Sequence, residues 1–128
     1  MTTESKKRHA GRVSDLVRQV YAAYVSKDRR LVESLLSDDF RFSSPYDDRI
    51  GRQRYFEKCW PNNERIRGID IKKIVENGND AFVIYELETN SGDRFRNVEY
   101  FVLDGDKIRQ IEVYFGDGPA GTTKESGG

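Results

Sequence analysis

The chain has 128 residues, enough for one domain with a single hydrophobic core, and its 22 basic and 22 acidic side chains leave no net charge. This balance argues against binding to nucleic acid or to an anionic membrane surface. The single cysteine, Cys59, excludes an internal disulfide framework, and the sequence predicts neither a signal peptide nor a membrane span, so we expect a cytoplasmic protein.

The two ends of the chain are predicted to be flexible tails. Residues 1–12 are polar and contain the only histidine, His9, which argues against a mechanism that needs a histidine base. Residues 117–128 are rich in glycine and lack an apolar pattern. We therefore place one domain at residues 13–116.

Apolar residues at helical spacing predict two helices at the start of this domain. Ser14 can cap the first helix, whose apolar stripe includes Val20 and Tyr24. Asp28 can cap a shorter second helix, because apolar residues recur after it until the polar segment that begins at Ser37.

A brief strand and a third helix are predicted next. Residues Phe40–Ser44 alternate between apolar and polar side chains, and Pro45 breaks this strand. Residues Tyr46–Gly51 are predicted to form a loop. The apolar stripe of the third helix, which Pro61 ends, consists of Tyr55, Phe56, Cys59 and Trp60.

From Gly68 onward the apolar period changes to two, which predicts a series of antiparallel strands. The predicted strands are Ile69–Glu76, Ala81–Thr89, Arg94–Leu103 and Ile108–Phe115. Asn77-Gly78 and Asp104-Gly105 are hairpin signals, and Asn90-Ser91-Gly92 is a longer turn. Helices followed by a meander indicate an α+β fold in which the helices cover one face of the sheet.

These turns also predict which side chains share a face of the sheet. With Ile84 and Ile111 near Glu99, and Arg109 near Phe101, the predicted concave face carries Phe82, Ile84, Glu86, Phe95, Asn97, Glu99, Phe101, Arg109, Ile111, Val113 and Phe115. The outer face carries Val83, Tyr85, Leu87, Val98, Tyr100, Val102, Ile108 and Tyr114. Because a monomer would rarely leave so large an apolar patch in water, we expect a homodimer formed through the sheet.

Glu99 is a single carboxylate within the otherwise apolar alternation Phe95–Leu103. Burying a carboxylate is costly unless it is hydrogen-bonded, paired, protonated or placed in a wet cavity, so its position predicts a pocket. There, Glu99 could act as a general acid or base whose pKa is raised by burial, or it could be a structural carboxylate satisfied by Arg109, Asn97 or Tyr24. Tyr24, likewise, could donate a hydrogen bond to an oxyanion or serve only in core packing.

The loop predicted near the mouth of this pocket carries Asp47, Asp48 and Arg49. These residues could contact a polar ligand, or they could form an ordinary solvated turn. Cys59 and Trp60 are predicted to fill the wall of the pocket, since no histidine is near to activate the thiol.

This order of elements resembles the nuclear transport factor 2-like superfamily, in particular its SnoaL-like and ketosteroid-isomerase-like branch. The resemblance covers residues 13–116 and rests on Leu36–Pro45, on Gly51 before the third helix and on the closing segment Gly105–Phe115. It implies a cone-shaped, curved sheet, a half-barrel wrapped on three N-terminal helices in a cystatin-like roll. It also implies an apolar cavity that opens at one end, and dimerisation through the sheet.

By this resemblance, Glu99 matches the strand carboxylic acid that donates a hydrogen bond to the developing oxyanion in ketosteroid isomerases. Ser44 occupies the position of their general-base aspartate, and Val20 that of their oxyanion tyrosine, with Tyr21 and Tyr24 as neighbours. Steroid isomerisation by that mechanism is therefore not expected. The Asp-Arg-Asp arrangement of limonene-epoxide-hydrolase-like members is not evident either, whereas SnoaL-like polyketide cyclases rely on an acidic residue in the sheet, a role that Glu99 could fill.

The sequence thus predicts a protein that binds a small apolar or aromatic metabolite and, as an enzyme, would be a cofactor-independent isomerase, cyclase or lyase. Its catalytic residues would be Glu99 and Tyr24. Its ligand-binding residues would be Val20, Phe42, Phe56, Trp60, Phe82, Phe95, Asn97, Phe101, Arg109, Ile111, Val113 and Phe115. No phosphate cradle, zinc spacing or nucleophile elbow is present, so no cofactor or metal is expected. The alternative is a non-catalytic dimeric interaction module of the same fold.

Overall fold

The structure is a computed structural model that describes the backbone of residues 2–116 and the side chains from Gly11 onward. The predicted C-terminal tail, residues 117–128, lies outside the described residues. The helices are α1 (Thr2–Ser26), α2 (Arg29–Leu35) and α3 (Arg52–Lys58), with a 3₁₀ helix at Trp60–Arg65. The strands are β1 (Leu36–Ser44), β2 (Asp47–Gly51), β3 (Ile66–Asn77), β4 (Asp80–Thr89), β5 (Arg94–Asp104) and β6 (Lys107–Phe115). Within residues 2–116, no helix has both the length and the apolar character that crossing a bilayer requires.

All six strands belong to one mixed sheet with the order β2-β1-β6-β5-β4-β3. The predicted meander is confirmed as β3 to β6, and β1 pairs with β6 in parallel, while β2 pairs with β1 in an antiparallel hairpin. Register shifts interrupt four of the five strand pairs, which increases the local bend of the sheet. The result is the predicted α+β cone, a curved and unclosed sheet with the N-terminal helices on one face.

Helix α1 begins earlier than the cap predicted at Ser14. Its backbone is helical from Thr2, so the predicted N-terminal tail, residues 1–12, belongs to the helix except for Met1, which lies outside the described residues. The amide and hydroxyl of Ser14 both donate to the Glu76 carboxylate of β3 instead. The second predicted cap is confirmed, because Asp28 Oδ1 accepts a hydrogen bond from Leu31 N at 3.1 Å and α2 follows directly.

The predicted loop Tyr46–Gly51 was wrong, since it contains strand β2. Two serine hydroxyls hold this hairpin: Ser43 Oγ accepts from Arg49 N at 3.0 Å, and Ser44 Oγ accepts from Tyr46 N at 3.1 Å. The third helix is also shorter than predicted. Helix α3 ends at Lys58, and Pro61 lies in the first turn of the 3₁₀ helix, where its missing N–H would have had no helical partner.

The hydrophobic core lies between α1 and the concave face of the sheet. From α1 it receives Val13, Val17 and Val20, which recur at intervals of three and four residues and are at most 1 % exposed. The sheet contributes Phe101 and Ile108, both fully buried. Burial of each such side chain stabilises the fold by roughly 1.5–3 kcal/mol before the entropy cost of ordering the chain, so α1 is held mainly by this contact.

The register of β4 differs from the prediction by one residue. Thr89 N donates to Asp93 O at 2.9 Å, which closes a three-residue loop and sets Val83, rather than Ile84, opposite Glu99. Because side chains alternate along a strand, a slip of one residue moves all of them to the other face. The predicted concave positions Phe82, Ile84 and Glu86 are therefore on the outer face, and Ala81, Val83, Tyr85 and Leu87 are on the concave face.

The register of β6 differs because of a bulge. Leu103 pairs with Ile108 and Val102 pairs with Gln110, so Arg109 is the extra residue between the two pairs. Ile108, predicted on the outer face, is consequently fully buried, whereas the predicted site residue Arg109 is exposed. Beyond the bulge, the shift amounts to two residues, so Ile111, Val113 and Phe115 keep the predicted face.

Candidate functional site

A cavity of about 220 Å³ lies where the end of α1 meets one end of the concave face of the sheet. The carboxyl ends of β1, β4 and β6 and the amino ends of β3 and β5 meet there. Its lining residues are Val20, Tyr21, Tyr24, Phe42, Ser44, Tyr46, Asp47, Tyr55, Cys59, Asn62, Ile66, Ile69, Tyr85, Leu87, Asn97, Glu99, Ile111, Val113 and Phe115. Most of the wall is apolar or aromatic, so polar groups are few and their positions determine what the cavity can bind.

Glu99 lines this cavity and is held by two tyrosines. The Tyr21 hydroxyl donates to Glu99 Oε1 at 2.7 Å, and the Tyr85 hydroxyl donates to Glu99 Oε2 at 2.8 Å. Burial raises the pKa of Glu99 above its usual value, and the two hydroxyl donors oppose this rise because they stabilise the carboxylate. Burial and the nearby Glu99 charge raise the pKa of both tyrosines, which keeps them protonated as donors.

A second layer of hydrogen bonds supports Tyr85. Asn97 Nδ2 donates to the Tyr85 hydroxyl oxygen at 3.2 Å, and Asn97 Oδ1 accepts from Gly116 N at 3.2 Å. Gly116 N also donates to Arg96 O at 3.0 Å, and a Cβ on Gly116 would lie only 2.5 Å from that same oxygen. The site therefore requires a glycine at the end of β6.

Tyr24 lies one helical turn after Tyr21 and also lines the cavity. Its ring packs edge-on against Trp60 at a centroid distance of 5.0 Å, and its backbone oxygen accepts a hydrogen bond from the buried Asn63 side chain at 3.1 Å. No residue in the described part of the chain accepts a hydrogen bond from the Tyr24 hydroxyl. Burial, followed by the Glu99 charge, raises the pKa of Tyr24 well above its usual value, so it is available as a neutral donor.

The mouth of the cavity carries a second carboxylate, Asp47. It forms an ion pair with Lys58 and accepts from Ser44 Oγ at 3.0 Å, and the Lys58 contact holds the pKa of Asp47 below its usual value. Burial raises the pKa of the neighbouring Cys59 thiol to about 11, so this thiol is protonated at neutral pH and is not a nucleophile. Of the three residues predicted near the mouth, only Asp47 lines the cavity; Asp48 and Arg49 do not.

The structure brings part of the predicted site together. Glu99, Tyr24, Val20, Phe42, Asn97, Ile111, Val113 and Phe115 line the cavity. Phe56, Trp60, Phe95 and Phe101 do not line it. Of these, Phe101 is fully buried against Tyr21, and Trp60 packs against the ring of Tyr24.

Two predicted site residues are misplaced. Phe82 lies on the outer face because of the register of β4, where it is 48 % exposed and packs on Tyr100 at a centroid distance of 4.7 Å. Arg109 is the exposed extra residue of the β6 bulge, so it contacts neither Glu99 nor the cavity. The hypothesis that Arg109 satisfies the Glu99 carboxylate is therefore wrong.

Sequence reasoning missed the two tyrosines that bind Glu99. Tyr21 follows Val20 directly on α1, and the sequence prediction named Tyr24, one helical turn later, as the donor instead. Tyr85 was assigned to the outer face, and counting Asn90-Ser91-Gly92 as a three-residue loop would have placed it beside Glu99. Among the described residues, no three His, Cys, Asp or Glu side chains are grouped so that they could hold a metal ion.

Comparison with known proteins adds a family match. Residues 17–111 match the family model described as a SnoaL-like domain. A search of curated protein sequences finds no match to this chain.

Several solved structures share the fold. An NTF2-like protein of unknown function from Cytophaga hutchinsonii is 25 % identical, with a TM-score of 0.67 over 81 % of this chain and 89 % of that chain. An LEH-like epoxide hydrolase from M. tuberculosis is 19 % identical, with a TM-score of 0.67 over 84 % of both chains. A de novo designed protein with a curved β-sheet is 16 % identical, with a TM-score of 0.73 over 91 % of this chain and 93 % of that chain. Since a designed protein shares it, the fold alone specifies no chemistry.

Proposed function

Because the chain belongs to the SnoaL-like domain family, in the ketosteroid-isomerase-like branch of the nuclear transport factor 2-like superfamily, we propose that it binds a small apolar or aromatic metabolite and transforms it by proton transfer at Glu99. The observation that carries this proposal is the geometry of Glu99. A carboxylate in an apolar cavity, held by two tyrosine hydroxyls at 2.7 and 2.8 Å and with its pKa raised by burial, is a stronger base than an exposed carboxylate and is positioned to exchange protons with a ligand in the cavity.

The size of the cavity limits the ligand. A cavity of about 150 Å³ holds benzene, and drug-sized ligands occupy roughly 300–1,000 Å³. The cavity in this protein, at about 220 Å³, is therefore suited to a molecule of one ring or two fused rings and is too small for a whole steroid. Two aromatic rings at its mouth, Tyr46 and Phe115, are 78 % and 50 % exposed and supply an apolar entrance.

The proposed reaction needs no cofactor. Glu99 takes a proton from a carbon next to a ligand carbonyl and returns it to another carbon, while the Tyr24 hydroxyl donates a hydrogen bond to the enolate oxygen that forms between the two steps. Isomerase, cyclase and lyase reactions of enolisable substrates share this first step. The epoxide hydrolase among the structural neighbours shares the fold, but at 19 % identity it does not support hydrolysis as the reaction of this protein.

The first experiment identifies the ligand and tests its site. Native mass spectrometry of the protein purified directly from cells should show a bound molecule of one or two rings, and a thermal-shift screen of such compounds should find others of that class. Val20→Phe adds a ring to the cavity wall and should abolish binding. Val98→Phe makes the same change on the outer face of the sheet and serves as the control, and circular dichroism verifies that both variants fold.

The second experiment tests the chemistry. Hydrogen–deuterium exchange of the ligand's carbon-bound protons, followed by NMR, should be catalysed by the wild-type protein. Glu99→Gln should reduce this rate by roughly 10²–10⁴-fold, as expected for loss of a general base, and Tyr24→Phe should reduce it less. If wild type and Glu99→Gln both bind the ligand but neither exchanges its protons faster than the uncatalysed rate, the proposed catalysis is wrong and only a binding function remains.

A non-catalytic interaction module of the same fold is the second candidate. The observation that favours it is the exposed aromatic patch on the outer face, which includes Phe82 and Tyr114. If no small molecule binds and Glu99→Gln changes only stability, this second candidate is the better description. Capture of one defined protein partner, lost in Tyr114→Glu, would then support it.

A further inference from the structure

The hydrogen bonds around Glu99 have a direction that can be assigned from one backbone group. A backbone N–H can only donate, so the contact between Gly116 N and the Asn97 side chain identifies its acceptor as the oxygen, Oδ1. The other end of the Asn97 amide is then the NH₂ group, which must donate to the Tyr85 hydroxyl oxygen at 3.2 Å. The tyrosine has one proton, and it is left pointing to Glu99 Oε2 at 2.8 Å.

The two oxygens of Glu99 are therefore not equivalent. Oε2 receives a proton donor whose orientation is set by Asn97 and Gly116, through three successive hydrogen bonds. Oε1 receives only the Tyr21 hydroxyl at 2.7 Å, and within the described part of the chain that hydroxyl has no other hydrogen-bond partner. The Tyr21 proton is consequently free to turn away when another donor approaches Oε1, whereas the Tyr85 proton is not.

From this arrangement we infer that Asn97 is a positioning residue that keeps Glu99 a hydrogen-bond acceptor, so that the ligand must present a proton donor to Oε1, either the acidic C–H of the proposed reaction or an O–H such as that of an enol or a phenol. The ligand part of this inference rests on the proposed function. It differs from the role that the resemblance to ketosteroid isomerases implies for the matching acid, which donates its own proton to an oxyanion. In this protein the Tyr85 hydroxyl, oriented by Asn97, points its proton toward the carboxylate.

The groups that face Glu99 come from every element packed against it. Helix α1 supplies Tyr21 and Tyr24, β4 supplies Tyr85, and the apolar Val83 and Val113 flank Glu99 in the sheet. Among the side chains that the structure describes, from Gly11 to Gly116, no positively charged one lines the cavity. The ionised form of Glu99 is thus supported by hydroxyl donors alone, which makes the orientation of the Tyr85 proton important to it.

The first test is a titration of Glu99 in the free protein, which needs no ligand. The carboxyl signal that disappears in Glu99→Gln, followed by infrared or carbon NMR spectroscopy, reports its pKa. Asn97→Leu should raise this pKa because the Tyr85 hydroxyl can then turn away. Asn77→Leu, the same change at an exposed position that does not line the cavity, should leave it unchanged.

A double-mutant comparison separates positioning from a general structural effect. Tyr85→Phe should raise the pKa of Glu99, and adding Asn97→Leu to Tyr85→Phe should raise it no further, because Asn97 acts through the Tyr85 hydroxyl. If Asn97→Leu has no effect alone, or has its full effect without the hydroxyl, the positioning role is wrong. The Tyr85→Phe protein keeps its ring in the core, so the comparison remains possible even where Asn97→Leu folds poorly.

The second test uses a nitrophenol, whose neutral and ionised forms absorb visible light differently, together with its methyl ether. An acceptor site should bind the neutral phenol roughly tenfold or more tightly than the ether, which corresponds to one hydrogen bond to a charged group. Binding of the ionised phenolate would overturn this inference but not the proposed function, because a phenolate can accept a hydrogen bond from Glu99 only if Glu99 is protonated. Absence of binding by either compound and by the one-ring and two-ring screen would overturn both the proposed function and the ligand part of the inference, while the titration still decides the role of Asn97.

Discussion

Glu99 and Asp47 are two carboxylates of one cavity whose surroundings move their pKa values in opposite directions. Burial raises the pKa of Glu99, and only hydroxyl groups compensate it. The Lys58 contact lowers the pKa of Asp47 at the mouth, so Asp47 is ionised at neutral pH. Such a separation is how enzymes assign different protonation roles to two acids, and here Glu99 is the carboxylate that holds a proton more readily than Asp47.

Glu99→Gln should alter how stability depends on pH. Since the pKa of Glu99 in the folded protein lies above the value of 4.5 for an unperturbed side chain, folding takes up a proton between these two values, and wild-type stability falls as the pH rises through that window. The stability of Glu99→Gln does not fall in this way, because the glutamine side chain does not ionise. Urea unfolding at several pH values should therefore show the free energy of unfolding of the variant, relative to wild type, increasing from below pH 4.5 toward neutrality. A difference that is constant with pH would contradict the raised pKa.

Asp47→Asn should have the opposite pH dependence. The pKa of Asp47 is lower in the folded protein than its usual value of 3.8, so ionised Asp47 stabilises the fold above that value, and this contribution is lost as the pH falls through the folded pKa. The variant should be less stable than wild type at neutral pH, and the difference should shrink in acid. Asp48→Asn, at the exposed neighbouring position, is the control for the same thermal-unfolding series.

At the scale of elements, the pairing of β4 with β5 decides which aromatic residues enter the core. Phe101 pairs with Ala81 on the concave face and is fully buried, and Phe82 pairs with Tyr100 on the outer face and is 48 % exposed. The loop between the two strands, Asn90-Ser91-Gly92, determines which side chains of β4 lie on the concave face. One residue more or less in this loop would move every β4 side chain to the opposite face.

A pair of alanine substitutions tests this register. Phe101→Ala should destabilise the protein by about 3–5 kcal/mol, because it leaves a cavity in the core. Phe82→Ala should cost less than about 1 kcal/mol in a monomer, as expected for a surface position. Urea unfolding at low protein concentration, where association contributes least, measures both. Equal losses at the two positions would mean that the register is wrong.

At the scale of the whole molecule, the sheet leaves an apolar outer face. The exposed members are Val75, Phe82, Ile84 and Tyr114, at 49 %, 48 %, 40 % and 52 %, and Val98, Tyr100 and Val102 lie among them. This surface differs in membership from the predicted one, since Val83, Tyr85, Leu87 and Ile108 face the core. It is still a contiguous apolar surface on the side away from the helices, and we expect a homodimer to cover it.

Placing a charge in this surface should produce a monomer. Ile84→Glu puts a carboxylate in the middle of the outer face, where burying it in an interface would be costly. Light scattering coupled to size-exclusion chromatography should give a dimer mass for wild type and a monomer mass for the variant. Leu31→Glu, at a 37 % exposed position on α2, is the matched control and should remain dimeric. A monomeric wild-type protein would refute the expected dimer.

The sequence by itself determined the order of the elements except strand β2, the Asp28 cap, the meander of β3 to β6 and the placement of one acidic side chain among apolar ones. These depend on local periodicity, caps and turn residues, which act within a few positions of the chain. Burial of Glu99 on the concave face also follows locally, because its strand alternates without a break.

Only the tertiary structure decided which groups meet Glu99. Which face each β4 side chain occupies depends on a single residue in the loop before β5. Tyr85 therefore lies on the concave face and Phe82 on the outer face, the reverse of the prediction. The bulge at Arg109 is a property of the paired strands, and it removed a predicted polar partner of Glu99. Helical spacing alone could not distinguish Tyr21 from Tyr24, because the angle of α1 across the sheet determines which hydroxyl reaches the carboxylate. Side-chain contacts between distant segments depend on register and docking, and neither is encoded within one segment of the chain.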